Sequence, residues 1–180
     1  MSDRFQSFRE ALAQTGVESS DFDLNPEVTL PEGRALRPAG VLAPVVDTGA
    51  RLELILTKRS SALKHHPGQI AFPGGKQDGG DADVIAAALR EAREEIGLPS
   101  DIVDVLGVLP AHETVTGFSV TPVIGYVTRD FTVVPEPGEV EEVFRVPLDH
   151  VLDLSNYLVH SRRWRGQRRY YYAVPYGPYY

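Results

Sequence analysis

Residues 74–98 read GGKQDGGDADVIAAALREAREEIGL, a glycine-rich loop running into one amphipathic segment. Asp81 is positioned to cap a helix, and Ile96 ends the periodic run just before Gly97 and Pro99. At about 100° per residue, Ile85, Ala88, Leu89, Ala92 and Ile96 fall on one stripe, predicted to be buried. Glu91, Glu94 and Glu95 form a neighbouring stripe at the border of core and solvent. Carboxylates at i, i+3 and i+4 repel one another by a few tenths of a kcal/mol per pair, roughly. A hard divalent cation would remove that penalty, because Mg²⁺ is held by a few carboxylates together with substrate phosphates. The alternative is a solvated acidic helix face.

The loop and helix together resemble the Nudix box, G-x5-E-x7-R-E-U-x-E-E-x-G-U, where U is aliphatic. Gly75 takes the first glycine, and Arg90-Glu91-Ala92-Arg93-Glu94-Glu95-Ile96-Gly97-Leu98 fills the second half. Asp81 stands where the box has its first Glu, and eight residues rather than seven separate it from Arg90. The coenzyme A pyrophosphatase branch of the family carries a similar Asp and spacing. Ahead of the box, Leu56-Thr57-Lys58-Arg59-Ser60 and the run from His66 through Gly68-Gln69 to Phe72-Pro73-Gly74-Gly75 look like that branch's second signature, LLTxRSxxLxxHxGQxxFPGG.

The resemblance implies an α/β Nudix fold, a mixed β-sheet in an α/β/α sandwich. It also implies divalent-metal-dependent hydrolysis of the diphosphate of coenzyme A or acyl-CoA, giving 3′,5′-ADP and (acyl-)4′-phosphopantetheine. Another nucleoside diphosphate derivative (ADP-ribose, a dinucleotide or a nucleoside triphosphate) and a non-catalytic nucleotide-sensing module are the rival readings. By the same resemblance, Glu91, Glu94, Glu95 and Arg90 are the catalytic set. Glu91 and Glu95 are the primary ligands of Mg²⁺ or Mn²⁺, Glu94 shares in the cluster, and a backbone carbonyl near Gly74 completes it. Arg90 orients the glutamates, with Asp81 as its candidate partner. A further acid comes from a later stretch, where Glu139 is preferred over Glu141 and Glu142. Lys58, Arg59, His66, Gln69 and Gly75 are the candidate substrate contacts, with His65 beside them.

The rest of the chain fits one domain of 180 residues with a sizeable core. Residues 1–35 read as an N-terminal helix (Arg4 to Gln14) and a Pro-broken arm, and 36–180 as the Nudix domain. Strands are predicted at Ala39 to Val46, Leu52 to Lys58, Gln69 to Phe72, Val103 to Leu109, Val120 to Val127 and Val143 to Val146. A helical turn is predicted over Leu148 to Leu154, and a hairpin over Arg162 to Trp164 and Arg168 to Val174. The family's closing C-terminal helix is absent from the sequence, so that sheet face is covered by missing residues, the N-terminal helix or a second subunit in a homodimer. No apolar run approaches the roughly 20 residues that span a bilayer, and no basic-then-apolar leader is seen. The absence of Cys excludes disulfides and thiolate chemistry and fits a cytoplasmic protein. A net charge of −7 argues against general nucleic-acid binding. One basic cluster stands apart, Arg162, Arg163, Arg165, Arg168 and Arg169 interleaved with Trp164 and Tyr170. It reads either as a charged hairpin edge or as a surface for single-stranded nucleic acid.

Overall fold

The computed structural model describes residues 3–14, 16–28, 33–63, 66–164 and 166–180. His65 and Arg165, singled out above, lie outside them. The N-terminal helix α1 spans Asp3–Leu12. A long β2 (Arg37–Asp47) and β3 (Leu52–Arg59) form the hairpin around Asp47 to Ala50, after the two-residue strand β1 (Ser19–Ser20). Two short strands, β4 (Ile70–Ala71) and β5 (Gly74–Lys76), lead into α2 (Val84–Ile96). β6 (Val103–Val108), β7 (His112–Glu113), β8 (Phe118–Val127), β9 (Val140–Pro147) and α3 (Leu148–Leu152) follow. The terminal hairpin is β10 (Leu158–Trp164) with β11 (Gln167–Ala173).

Among the described residues, nine strands make one mixed sheet in the order β1-β7-β8-β2-β3-β4, with β5 on β2, β6 on β8 and β9 on β3. β2 runs parallel to β8 and antiparallel to β3 and β5, so its first half carries the glycine-rich loop on one side and β8 on the other. Side-chain alternation splits the core between two faces. Leu42, Val46, Ile55, Val123 and Val127 pack against Ala88, Ala92 and Ile96 of α2. Ala43, Val45 and Leu54 face the other way, against Leu148 and Val151 of α3 and Phe8 of α1. The Phe5 ring lies 4.2 Å from that of Tyr126, and Arg9 binds both carboxylate oxygens of Asp104. Helices therefore cover both faces, the sandwich expected, and α1 is one of the covers on the side opposite α2. At the chain's aromatic end, the Tyr179 ring stacks on Phe144 at 3.6 Å.

Two local expectations are corrected. The N-cap of α2 is Asp83, whose Oδ1 accepts from the Ala86 N–H at 2.8 Å, not Asp81, which is engaged elsewhere. Within α2, Glu95 is buried at 5% exposure rather than lying on the core's border, while Ile85 and Leu89 are only partly buried. The stripe facing the sheet is thus rotated towards Ala87, Ala88, Ala92 and Glu95. The C-terminal end is as expected, with Gly97 at φ 72° and its N–H on the Arg93 carbonyl.

Candidate active site

The site is built where β5 meets α2. The Gly74 N–H donates to Glu95 Oε2 at 3.2 Å, tying the glycine loop to the last turn of the helix. Gly75 leaves room for the Glu91 carboxylate. A Cβ on it would stand 2.5 Å from Glu91 Oε1. Glu91 and Glu95 thus line the loop from one side of α2, one turn apart.

Arg90 holds this arrangement from the solvent side. Its Nε and Nη2 grip Asp81 at 2.9 and 3.0 Å, Nη1 reaches Glu91 at 2.9 Å and Glu94 at 3.0 Å, and Nη2 also donates to the Lys76 carbonyl. Asp81, left open in sequence between cap and arginine partner, is the partner. Glu94, 58% exposed, is the outermost of the three glutamates.

The electrostatics single out Glu95. Burial pushes its carboxyl up to about 7, against the pull of the Gly74 N–H, and the charges of Glu91 and Glu139 push the same way while Arg59 opposes them. Burial also raises Glu91, by more than its bond to Arg90 lowers it, with Glu94 and Glu139 adding to the rise. Of the three later acids, Glu139 is therefore the one whose charge reaches the helix glutamates. Glu141 is taken by Lys58 at 2.6 Å and by both the N–H and hydroxyl of Ser61, and Glu142 by the Tyr179 hydroxyl.

The candidate substrate residues divide. Arg59 follows Ile55 and Thr57 on the α2 side of β3 and acts on Glu95. Its Nε is buried without a hydrogen-bond partner among the described residues. Lys58 alternates to the opposite side and pairs with Glu141, so of these two candidate substrate contacts Arg59 is the one on the side of the helix glutamates. Gln69 meets Arg59 through the backbone, its carbonyl accepting from the Arg59 N–H at 2.9 Å. His66 is exposed in the same loop with φ 54°, a strained value for a side-chain-bearing residue.

Oxygen donors and mutual repulsion suit this cluster to a hard divalent cation. Among the described residues, the Glu95 carboxylate accepts one hydrogen bond, from Gly74, and feels the charges of Glu91 and Glu139. Among the described residues, no three acidic or histidine side chains already converge as a finished cage.

A sequence model of the NUDIX domain matches residues 36–168. The uncharacterized Nudix hydrolase NudL of Enterobacter sp. strain 638 is 50% identical over 121 residues, covering 67% of this chain and 62% of the relative. The NudL of Cronobacter sakazakii is 46% identical over 147 residues, covering 76% and 75%. The chain spans 62% of the length of the Enterobacter relative. Among solved structures, the Mycobacterium smegmatis Nudix hydrolase RenU superposes with TM-score 0.50 at 26% identity, covering 65% of this chain and 74% of that one. A Caenorhabditis elegans Ap4A hydrolase superposes with TM-score 0.54 at 20% identity, covering 68% and 88%, a likeness of fold.

Proposed function

Given that this chain belongs to the NUDIX domain family, we propose that it hydrolyses the diphosphate of coenzyme A or acyl-CoA to 3′,5′-ADP and (acyl-)4′-phosphopantetheine. The observation that carries this reading is that Arg59, from the first part of the coenzyme A-type signature, lies beside Glu95, from the box, with an unpartnered buried Nε. A buried guanidinium N–H without a partner favours an anionic acceptor, and phosphate supplies one.

Diphosphate cleavage is attack of water on phosphorus, and the protein contributes mostly positioning and charge neutralisation. Glu91 and Glu95, with Glu94, Glu139 and the Gly74 carbonyl as further oxygen donors, would hold Mg²⁺ or Mn²⁺, which would supply charge neutralisation and lower the pKa of a bound water. Arg90 fixes the Glu91 carboxylate, which would otherwise swing away from the loop. Gly75 leaves the space that this carboxylate occupies. Gly74 holds Glu95 through its N–H, and a carboxylate of the set takes the proton from the attacking water. Arg59 binds a phosphate oxygen beside them.

One observation favours a second reading. Lys58 is tied to Glu141, which leaves one cation fewer for the 3′-phosphate of coenzyme A. ADP-ribose, a dinucleotide or a nucleoside triphosphate would need no such cation. A nucleotide-sensing module is disfavoured by the complete Glu91, Glu94 and Glu95 set. The deciding experiment is a substrate panel with Mg²⁺ and Mn²⁺ and products identified by mass. Preferential formation of 3′,5′-ADP from coenzyme A supports the first reading, and faster turnover of ADP-ribose replaces it with the second.

A further inference from the structure

β10 and β11 form a two-stranded sheet outside the main one. Their antiparallel register sets Val159 opposite Tyr172, Ser161 opposite Tyr170 and Arg163 opposite Arg168, all on one face. Arg162 and Arg169 are paired on the other. Like charges directly opposite each other destabilise a hairpin, and here two such pairs sit on consecutive rungs. Residues 158–173 contain five arginines and no acid, in a chain of net charge −7.

The two faces have different fates. On the inner side the hairpin is anchored to the arm. The Asn25 side chain, buried at 7% exposure, donates to the Tyr170 carbonyl at 3.0 Å and accepts from its N–H at 2.8 Å, while the Arg169 guanidinium lies 5.7 Å from the Phe22 ring. The outer face is largely exposed, with the Tyr172 ring edge-on to Tyr157 at 6.3 Å. Val159, Tyr170 and Tyr172 are 58%, 42% and 59% exposed, and Arg163 and Arg168 are exposed and form no ion pair among the described residues.

We propose that this outer face binds single-stranded nucleic acid, with phosphates on the Arg163–Arg168 pair and bases stacked on Tyr170 and Tyr172. A polyanion relieves the cross-strand repulsion of Arg163 and Arg168, for which no counter-ion is found among the described residues. The tyrosines stand two residues apart on one strand, about 6.8 Å, next to the guanidiniums on the same face. That combination of aromatic rings and cations holds single strands without reading sequence. A duplex hides the base faces that the rings need. An acidic polypeptide would answer the arginines but would give the two exposed tyrosines no base to stack on. The acidic remainder of the molecule does not forbid this, because charges beyond about 8 Å are largely screened at physiological salt. The hairpin is attached through the arm and is separate from the Glu91–Glu95 cluster, so this is a binding function in addition to hydrolysis.

Fluorescence anisotropy of the whole chain with labelled oligouridine and oligodeoxythymidine of about 15 nucleotides, near the upper site size for such surfaces, tests it. Binding is expected to weaken with salt. Arg163→Ala with Arg168→Ala should weaken it at least about tenfold and flatten the log–log salt slope by about 1.4, roughly 0.7 per lost phosphate contact. Tyr170→Ala and Tyr172→Ala should each cost roughly five- to hundredfold, while the Phe variants keep the rings and the binding. All variants should retain hydrolysis, which reports that they are folded. Absence of salt-dependent binding overturns the proposal, as does equal affinity for duplex of the same length. Indifference to the Tyr→Ala changes overturns it too. Competition by polyglutamate as effective as by oligonucleotide overturns it in favour of an acidic protein partner.

Discussion

The Arg90 guanidinium binds both oxygens of Asp81, Nε to Oδ1 at 2.9 Å and Nη2 to Oδ2 at 3.0 Å, and with its remaining nitrogen it holds Glu91 at 2.9 Å. The side-chain bond to Arg90 keeps the Asp81 carboxyl below its usual range. Asp81 therefore acts on the helix glutamate through the arginine. A lysine keeps the charge but not the fork. Arg90→Lys and Asp81→Asn should each lower kcat by roughly one to two orders of magnitude, a loss of about 1.4–2.7 kcal/mol of transition-state stabilisation. Circular dichroism melts should stay close to wild type. An unchanged kcat in Asp81→Asn would remove Asp81 from this relay.

Glu91→Gln and Glu95→Gln each remove a charged oxygen donor without changing shape. Each should lower kcat by at least about two orders of magnitude. A second readout separates metal binding from catalysis. Millimolar Mg²⁺ or Mn²⁺ should raise the Tm of the wild type by binding the folded state preferentially, and the shift should shrink in both variants. A wild-type Tm indifferent to both ions would argue against a preformed cation site.

Gly75→Ala tests the packing of loop against helix. The added Cβ would meet Glu91 Oε1 at 2.5 Å, and the far end of a flexible side chain can yield. The fold should therefore survive while the Glu91 carboxylate is displaced. We expect a fall in kcat of about tenfold or more with a Tm shift of only a few degrees. Wild-type activity would mean that the position of Glu91 tolerates more than the geometry suggests.

Much of this was legible in advance because it is local. The α2 helix, its Gly97 stop and the β2–β3 hairpin follow from periodicity and turn chemistry, and the glutamates follow from their spacing in the box. The cap went to Asp83 because Asp81 is drawn to Arg90, a competition between two acids that spacing alone does not rank. The burial of Glu95 depends on the β5 loop closing over it, a contact 21 residues away in sequence. The two-residue pairing of Ser19–Ser20 with His112–Glu113 has no periodic signal at all. Lys58 is different. Alternation along β3 sets Lys58 on the face of Leu54 and Arg59 on that of Ile55. Of the two candidate substrate contacts, the strand's period therefore turns Arg59 towards the helix glutamates and Lys58 away.

The arm is fastened to β7 by a pair whose strength depends on pH. His112 Nε2 donates to Asp21 Oδ1 at 3.1 Å, and its Nδ1 is 2.8 Å from the Ser19 hydroxyl. The bond to Asp21 raises the His112 pKa, with Asp21, Asp23 and Glu113 adding their charge. Burial pushes Asp21 up, but the bonds from His112 and the Val115 N–H, with the charges of His112 and Arg169, outweigh it and leave it lowered. The raised His contributes fully below 6.5, its ordinary value, and loses that contribution as pH rises through the folded value above it. The lowered Asp contributes above 3.8 and loses it as pH falls through the folded value below. The pair should thus be strongest between about pH 4 and 6.5, and small, below about 1 kcal/mol, because both side chains are partly exposed. The Tm difference between wild type and His112→Gln should peak in that window and narrow towards pH 9. A difference flat across pH would show that the contact is not ionic.

The last prediction concerns substrate choice, and it sets two adjacent residues against each other. Coenzyme A carries a 3′-phosphate that dephospho-coenzyme A lacks. If Arg59 reads it, coenzyme A should exceed the dephospho form in kcat/KM by about ten- to hundredfold, since a charge-assisted contact contributes roughly 1.5–3 kcal/mol. Arg59→Ala should then collapse that ratio towards one, because it removes a contact that only one substrate makes. If Arg59 instead binds the diphosphate, both substrates should slow equally and the ratio should hold. Lys58→Ala should leave the ratio unchanged in either case, since Lys58 faces Glu141 on the other side of β3. A collapse in Lys58→Ala would require the Glu141 pair to open on substrate binding. Because Glu141→Gln would then weaken the hold on Lys58, it should in that event widen the preference for coenzyme A. Measuring kcat/KM for both substrates across wild type and these three variants separates a 3′-phosphate contact, a diphosphate contact and a bridge that opens.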